Sequence, residues 1–200
     1  ITAGVAAETM PLRHDMRNAI GGIMVAPLCI ASPESGGMND DLFVPNPVIA
    51  SMQVVDDARG VRAVNVEPET IKLGRSMGFG RSRILVADDP TRVIALSEGM
   101  GVSLGTPPSP YEKVENPPLD IVDSPDLPPL HQVFGATRRS PGIWVLPELE
   151  LEMASPDAAL HLGPQHVTLE TAATQLAEGV AGTSSLQIES WHLMFVARGK

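Results

Sequence analysis

The chain has 200 residues, enough for one large domain or two small ones, and its 43% of hydrophobic residues excludes a disordered chain. The formal net charge of −10 argues against a nucleic acid or an anionic membrane as the main partner, although a small anionic ligand stays compatible with it. There is no apolar run of about 18 residues and no signal-peptide pattern. The single cysteine, Cys29, fits a reducing compartment. We therefore expect a cytoplasmic globular protein.

The first half of the chain predicts a helix followed by antiparallel strands. Residues 14–32 are the helix candidate, in which Pro27 is expected to kink or shorten the helix. Short β-branched runs separated by turn residues then indicate two strand pairs, with turns at 57–60 and 89–91. The four predicted runs are 48–58, 61–74, 78–89 and 92–104.

The second half repeats the opening of this plan after a Pro-rich connector. Residues 142–154 read as a strand with one wet face, and 163–182 as a helix with Pro164 in its first turn. Gly179 or Gly182 is expected to end that helix. Residues 184–199 read as a further strand.

The repeat predicts two related units. A strand, a glycine-containing turn and a helix at about 3–32 recur at about 143–180. We therefore divide the chain into a first unit at 1–105, a connector at 106–140 and a second unit at 141–200. The second unit has one strand after its helix where the first has four, so it looks incomplete. Either the sequence continues, or the missing edge comes from elsewhere.

The turns before the two helices resemble a motif of a known family. Asn18-Ala-Ile-Gly21-Gly22-Ile-Met is similar to the Asn-x-x-Gly-x-x-His-Gly-Gly start of the central helix in acyl-CoA thioesterases of the phenylacetate-degradation type, and Gly163-Pro-Gln-His166 is similar to its Gly-x-x-His part. The run KLGRSMGFGRSRILVADDPTRVIALSEGMG is similar to that family's strand pair. The resemblance covers most of the chain as two copies. It implies an α+β double hotdog, with two antiparallel sheets that each wrap around a central helix.

The same resemblance implies an enzyme that hydrolyses a small-molecule acyl thioester with activated water. It implies no cofactor other than the coenzyme A carried by the substrate, and leaves a homo-oligomer open. The family places an acid about two turns along the central helix, and counting from Gly163 the matching residue is Gln175. The first unit has no acid between Asn18 and Ser32, and Met24 stands where the motif has histidine. These departures keep a non-catalytic acyl-CoA-binding protein open as an alternative.

Glu170 lies inside the apolar run of the second predicted helix, and it follows His166 by four residues on the same helical face. A buried Glu170 would have a raised pKa and suit proton transfer, while His166 would orient it or bind the thioester carbonyl. The alternative is an ordinary polar pair at the rim of a packed helix. His161 extends the pair towards a metal site, but no further ligand has suitable spacing, so no metal is expected.

Other residues have weaker assignments as catalytic or substrate-binding groups. Asn18 either shapes the site, as the resemblance implies, or caps a helix. Gln175 either holds a water or a carbonyl, or lies on the outer helix face. Arg75 either receives phosphates of coenzyme A or is a solvated surface residue. Backbone N–H groups at a helix start would hold a developing oxyanion, and Gly22 or the residues just after Gly163 could present them. The alternative for Gly21-Gly22 is simply a tight strand-to-helix turn.

Two further functions remain as alternatives. An enoyl-CoA hydratase of the double-hotdog type would add water to an enoyl thioester, but that chemistry usually needs an Asp beside the His at the helix start, and His166 has none near it. An unrelated β-rich binding module is the fallback. The separating assay is thioester hydrolysis against hydration of a crotonyl-type substrate.

Overall fold

The structure is a computed structural model, which describes residues 8–32, 45–103, 122–150, 153–154, 159–197 and 199. The helices are α1 (Val25–Ala31), α2 (Leu130–Val133) and α3 (Leu162–Ala181), and a 3₁₀ turn covers His14–Met16. The strands are β1 (Glu8–Pro11), β2 (Pro45–Val54), β3 (Ala63–Leu73), β4 (Met77–Val86), β5 (Asp89–Ser103), β6 (Thr137–Ser140), β7 (Ile143–Val145) and β8 (Ser190–Met194).

Six of these strands form one antiparallel sheet in the order β1-β3-β4-β5-β2-β8, and β6 pairs with β7 in a small second sheet. The α+β class and the four antiparallel strands after the first helix are therefore confirmed. Because β8 joins the same sheet as β2, the predicted second sheet around its own helix is not confirmed and stays a prediction. The proposed unit boundaries stay predictions as well, and residues 106–121 of the connector lie outside the described residues.

One face of the sheet is buried beneath α1. Along β4, buried residues alternate with exposed ones, as the two-residue period of a strand requires. The side chains of Val25 and Leu28 on α1 are fully buried in one core cluster with Val64, Ile84 and Ile94 of the sheet. Each such side chain stabilises the fold by about 1.5–3 kcal/mol through removal of apolar surface from water. This packing fixes α1 on the sheet.

Helix α1 is shorter than the sequence predicts, because the helix expected from residue 14 begins only at Val25. Gly21 adopts a left-handed φ of 77°, which breaks any helical path before it. Pro27 lies in the first turn, where its missing N–H removes no intrahelical hydrogen bond. The first part of the predicted helix is therefore wrong, and it forms a turn that leads into α1.

Helix α3 agrees closely with its prediction. His161 precedes it and accepts a hydrogen bond on Nδ1 from the Gly163 N–H at 3.3 Å, and Pro164 lies in the first turn. The helix ends at Gly182, whose φ of 66° is left-handed, so Gly182 rather than Gly179 is the stop. Among the described residues, no helix has both the length and the apolar character needed to cross a membrane.

Two local predictions differ from the structure. Of the strand predicted at 142–154, the structure shows β7, and residues 146–150 form no strand, because Pro147 lacks the N–H that a ladder needs. Residues 151–152 lie outside the described residues. The turn between β4 and β5 falls at 87–88 rather than at 89–91. Neither difference changes the face of the sheet that α1 covers.

The two halves of the chain meet along a strand pair that we call the seam. β8 follows α3 as β2 follows α1, and the two strands pair antiparallel from Ile49 opposite Met194 to Gln53 opposite Ser190. Trp191 of β8 packs against the core cluster beneath α1. The second half therefore completes the edge of the sheet that the first half begins.

Helices α1 and α3 are also in contact, and they run antiparallel. Near the end of α1, the Ile30 side chain lies beside Gly163 at the start of α3. At the start of α1, Val25 contacts Glu170, further along α3. The carboxyl group of Glu170 is thereby brought from the second half to the first turn of the first-half helix.

Candidate functional site

The Glu170 side chain lies buried between the two halves and is bound by two backbone groups of α1. The Val25 N–H donates to Oε1 at 2.8 Å, and the Ala26 N–H donates to Oε2 at 2.6 Å. Each carboxyl oxygen therefore has its own donor, and only 4% of the residue is exposed. We call Glu170, His166 and the N–H groups of Val25 and Ala26 the Glu170 cluster.

Burial raises the pKa of the Glu170 carboxyl to about 7. The hydrogen bonds from Ala26 and Val25, and then the charge of His166, act in the opposite direction because they favour the carboxylate. Desolvation outweighs them. The group therefore changes charge near neutral pH, as a residue that takes up and returns protons must do.

His166 lies one helical turn before Glu170 and is fully buried. The indole Nε1–H of Trp191 donates to its Nδ1 at 3.3 Å, and the Phe195 ring meets it edge-on, with centroids 5.9 Å apart. Because an indole N–H can only donate, Nδ1 of His166 is the acceptor in this hydrogen bond. Trp191 of the seam and the adjacent Phe195 therefore set the orientation of this imidazole.

Asn18 organises the turn that leads into α1. Its Oδ1 accepts from the N–H groups of Gly22 at 2.8 Å and Ile20 at 3.2 Å. Met24, not Asn18, is the N-cap residue of α1, so the helix-cap alternative for Asn18 is wrong. Asn18 instead fixes the path of the backbone just before the two N–H groups that bind Glu170.

Arg17 anchors the same turn from its other side. Its guanidinium donates to the backbone carbonyls of Ala58 at 2.9 Å, Gly21 at 3.3 Å and Leu12 at 3.3 Å, and also to that of Val61. A planar group with five N–H donors suits such a fan of carbonyl oxygens. The turn is thus tied to the loop between β2 and β3 and to Leu12, the residue that follows β1.

The two adjacent glycines of this turn are needed for different reasons. Gly21 has a left-handed φ, with open space where a Cβ would lie. At Gly22, a Cβ would lie 2.6 Å from Oε1 of Gln187, which is too close for two such atoms. It would also lie 3.1 Å from Nδ2 of Asn18, a tight contact. Gly21 therefore serves the backbone conformation, whereas Gly22 serves the close approach of Gln187.

We expect Gly22→Ala to lower the unfolding free energy by about 1–3 kcal/mol, because the new methyl group must displace the Gln187 amide. Gly21→Ala should cost about 1 kcal/mol through backbone strain alone. The control is Gly179→Ala in exposed helix, which should stabilise the protein by up to about 1 kcal/mol. Urea unfolding measures all three, and a Gly22→Ala protein as stable as wild type would contradict the close approach.

The remaining predicted site residues lie apart from the Glu170 cluster. Gly163 is in the first turn of α3, beside Ile30. Gln175 is half-buried five residues beyond Glu170, which turns it to another side of α3, and its buried Oε1 has no hydrogen-bond partner in the described part of the chain. Arg75 is exposed in the turn between β3 and β4. The roles predicted for these residues stay predictions.

Three residues of the site were not predicted from the sequence. Val25 and Ala26 act through backbone N–H groups, which leave no side-chain signal. Gln187 lies between α3 and β8 and looks like an ordinary polar surface residue in the sequence. Within the described residues, no three side chains of the His, Cys, Asp or Glu type come together as metal ligands.

A recess opens beside the other end of α1. It lies between the helix, β2 and β5, and it is lined by Cys29, Ser32, Ala50, Ser51, Met52, Ser97, Glu98 and Gly99. Leu28 does not line the recess, because its side chain is fully buried in the core. The recess therefore lies near the end of α1, whereas the Glu170 cluster lies at its start.

The sequence matches no family model and none of the curated proteins. Part of the chain is similar to the solved structure of the E. coli PaaI protein from the phenylacetic acid degradation operon, with 14% identity, a TM-score of 0.42, and coverage of 49% of this chain and 71% of that one. Thioesterase HI1161 from Haemophilus influenzae is 15% identical with a TM-score of 0.42, and the match covers 52% of this chain and 77% of that one. The BH2602 protein from Bacillus halodurans, in a structure with CoA, is 10% identical with a TM-score of 0.42, and the match covers 49% of this chain and 66% of that one.

Proposed function

We propose that the protein hydrolyses a small-molecule acyl thioester, with Glu170 as the base that activates water. One observation carries the proposal: a buried carboxyl with a pKa of about 7 lies directly on two backbone N–H donors. Hydrolysis of a thioester needs these two components, a group that takes a proton from water and donors for the carbonyl oxygen. The resemblance of the 18–24 turn to the thioesterase motif points to the same chemistry.

The divided hydrogen bonding of Glu170 suggests how the two components work together. If one carboxyl oxygen leaves its N–H, the other oxygen keeps the side chain in place. The released N–H then binds the thioester carbonyl oxygen, and the released carboxylate oxygen takes a proton from water as the water oxygen attacks the carbonyl carbon. The C–S bond breaks, and the departing thiolate receives that proton from Glu170.

We also propose that the chain is built as a double hotdog, with acyl-CoA as its class of substrate. The antiparallel contact of α1 with α3, together with the antiparallel pairing of the strands that follow them, supports two related units. In this arrangement each unit supplies a different part of one site. The acid comes from α3 and the donors come from α1.

The test is release of free thiol from acyl-CoA substrates of increasing acyl length. The single cysteine of the protein is only 3% exposed, so a thiol reagent reports the product with little background. We expect the rate to rise through pH 7 as Glu170 loses its proton. No thiol release at any acyl length between about pH 6 and pH 9 would refute hydrolysis.

A second candidate is an acyl-thioester-binding protein without catalysis. The observation that favours it is that Glu170 itself occupies both N–H groups, so neither is open to a substrate carbonyl in this state. Calorimetric titration with acyl-CoA separates the two functions. Heat of binding without release of thiol would establish the binding protein.

A further inference from the structure

We propose that Gln187 is a positioning residue, whose side-chain amide holds the first-half turn so that the N–H groups of Val25 and Ala26 meet Glu170. The inference rests on the proposed function, because it concerns the donors that would bind the thioester carbonyl. It assigns to the short segment between α3 and β8 a role in the site.

Both ends of the Gln187 amide are used. Oε1 accepts from Nδ2 of Asn18, and Nε2 donates to the carbonyl of Ile23 at 3.1 Å and to that of Ile188 at 3.3 Å. Rotating the amide by 180° would bring its oxygen against two carbonyl oxygens and its nitrogen against another NH₂ group. These contacts therefore define one orientation of the side chain.

The contacts of Gln187 hold the turn immediately before the Val25 and Ala26 N–H groups. The Ile23 carbonyl, which Gln187 binds, belongs to the peptide unit just before the one that contains the Val25 N–H. The other side of Ile23 is fixed as well, because its N–H donates to the Asp57 carbonyl at 2.8 Å. Without Gln187, the peptide unit next to the donors loses its attachment to the second half of the chain.

The close approach of Gln187 to the turn depends on a glycine at position 22. Gly22 has no Cβ, and a Cβ there would lie 2.6 Å from the Gln187 oxygen. Asn18 meanwhile connects Gln187 to the Gly22 N–H through its own amide, at 2.8 Å. Since Glu170 and Gln187 both belong to the second half, that half fixes both the acid and the position of its donors.

The experiment compares Gln187→Leu with wild type in hydrogen exchange and in steady-state kinetics. We expect the Val25 and Ala26 amides to exchange at least about tenfold faster in the variant, while amides of β4 and β5 keep their wild-type rates. In thioester hydrolysis, kcat should fall by about ten- to a hundredfold with little change in KM, because the donors act on the transition state.

The matched control is Gln53→Leu. Gln53 also donates a side-chain hydrogen bond to a backbone carbonyl of the second half, that of Glu189 at 2.8 Å, but its side chain is exposed and this bond does not reach residues 18–24. This variant should leave both the Val25 and Ala26 exchange rates and kcat as in wild type.

Unchanged exchange at Val25 and Ala26 in Gln187→Leu would overturn the inference, and so would faster exchange spread equally over the whole protein. Absence of thiol release by wild type is a separate result. It would remove the proposed function, while the exchange rates would still decide whether Gln187 holds the donors.

Discussion

Replacement of Glu170 by glutamine is expected to reduce thioester hydrolysis by about 10²–10⁴-fold, the range that a positioned acid–base group contributes. The amide has nearly the same shape, but it cannot take a proton from water. It also presents an NH₂ group to one of the two N–H donors, which leaves that donor without an acceptor. The loss should appear in kcat at every pH between about 6 and 9.

Glu178→Gln is the matched control for this experiment. Glu178 lies on the same helix, eight residues further along, and it is outside the Glu170 cluster. The control should hydrolyse acyl-CoA at the wild-type rate. Equal kcat values for wild type and Glu170→Gln would show that Glu170 does not activate water.

The second large effect concerns stability and pH. Because burial raises the pKa of Glu170 from 4.5 to about 7, the folded protein holds this proton after the unfolded chain has released it. Stability contributed by this group is therefore present below pH 4.5 and is lost as the pH rises to 7. A pKa difference of this size between the folded and unfolded states contributes about 3 kcal/mol to the unfolding free energy.

The measurement is the unfolding free energy of wild type minus that of Glu170→Gln, from urea titrations at a series of pH values. The difference should decrease by about 3 kcal/mol between about pH 4.5 and pH 7.5 and then level off, because glutamine does not titrate. Subtraction removes the contributions of the other carboxyl groups. A flat or rising difference for Glu170→Gln would contradict the buried acid.

Much of the fold was accessible from local patterns. The alternation along β4 and the helix signals at Pro164 and Gly182 report physical requirements that act within a few residues. The start of α1 was misplaced because the Asn18 side chain binds backbone N–H groups that a helix would otherwise use. Such competition depends on the orientation of one side chain, which hydrophobic spacing does not show.

The site was predictable only where a residue broke its local pattern. Glu170 stood out as a charge inside an apolar helix, and the structure places it in a buried position. Its partners Val25 and Ala26 are separated from it by 145 and 144 residues and donate through the backbone, so no residue type marks them. Gln187 had no signal for the same reason, since its importance comes from the absent side chain of Gly22.

The seam has a consequence for the order in which the protein folds. Ser51 and His192 are hydrogen-bonded across it although 141 residues separate them, whereas β3, β4 and β5 are joined by short turns. Distant segments meet slowly, so β2 should spend the early part of folding with one bare edge of N–H and C=O groups. During that interval two chains can join through this edge, so slow docking of β8 favours aggregation and dilution favours the native fold.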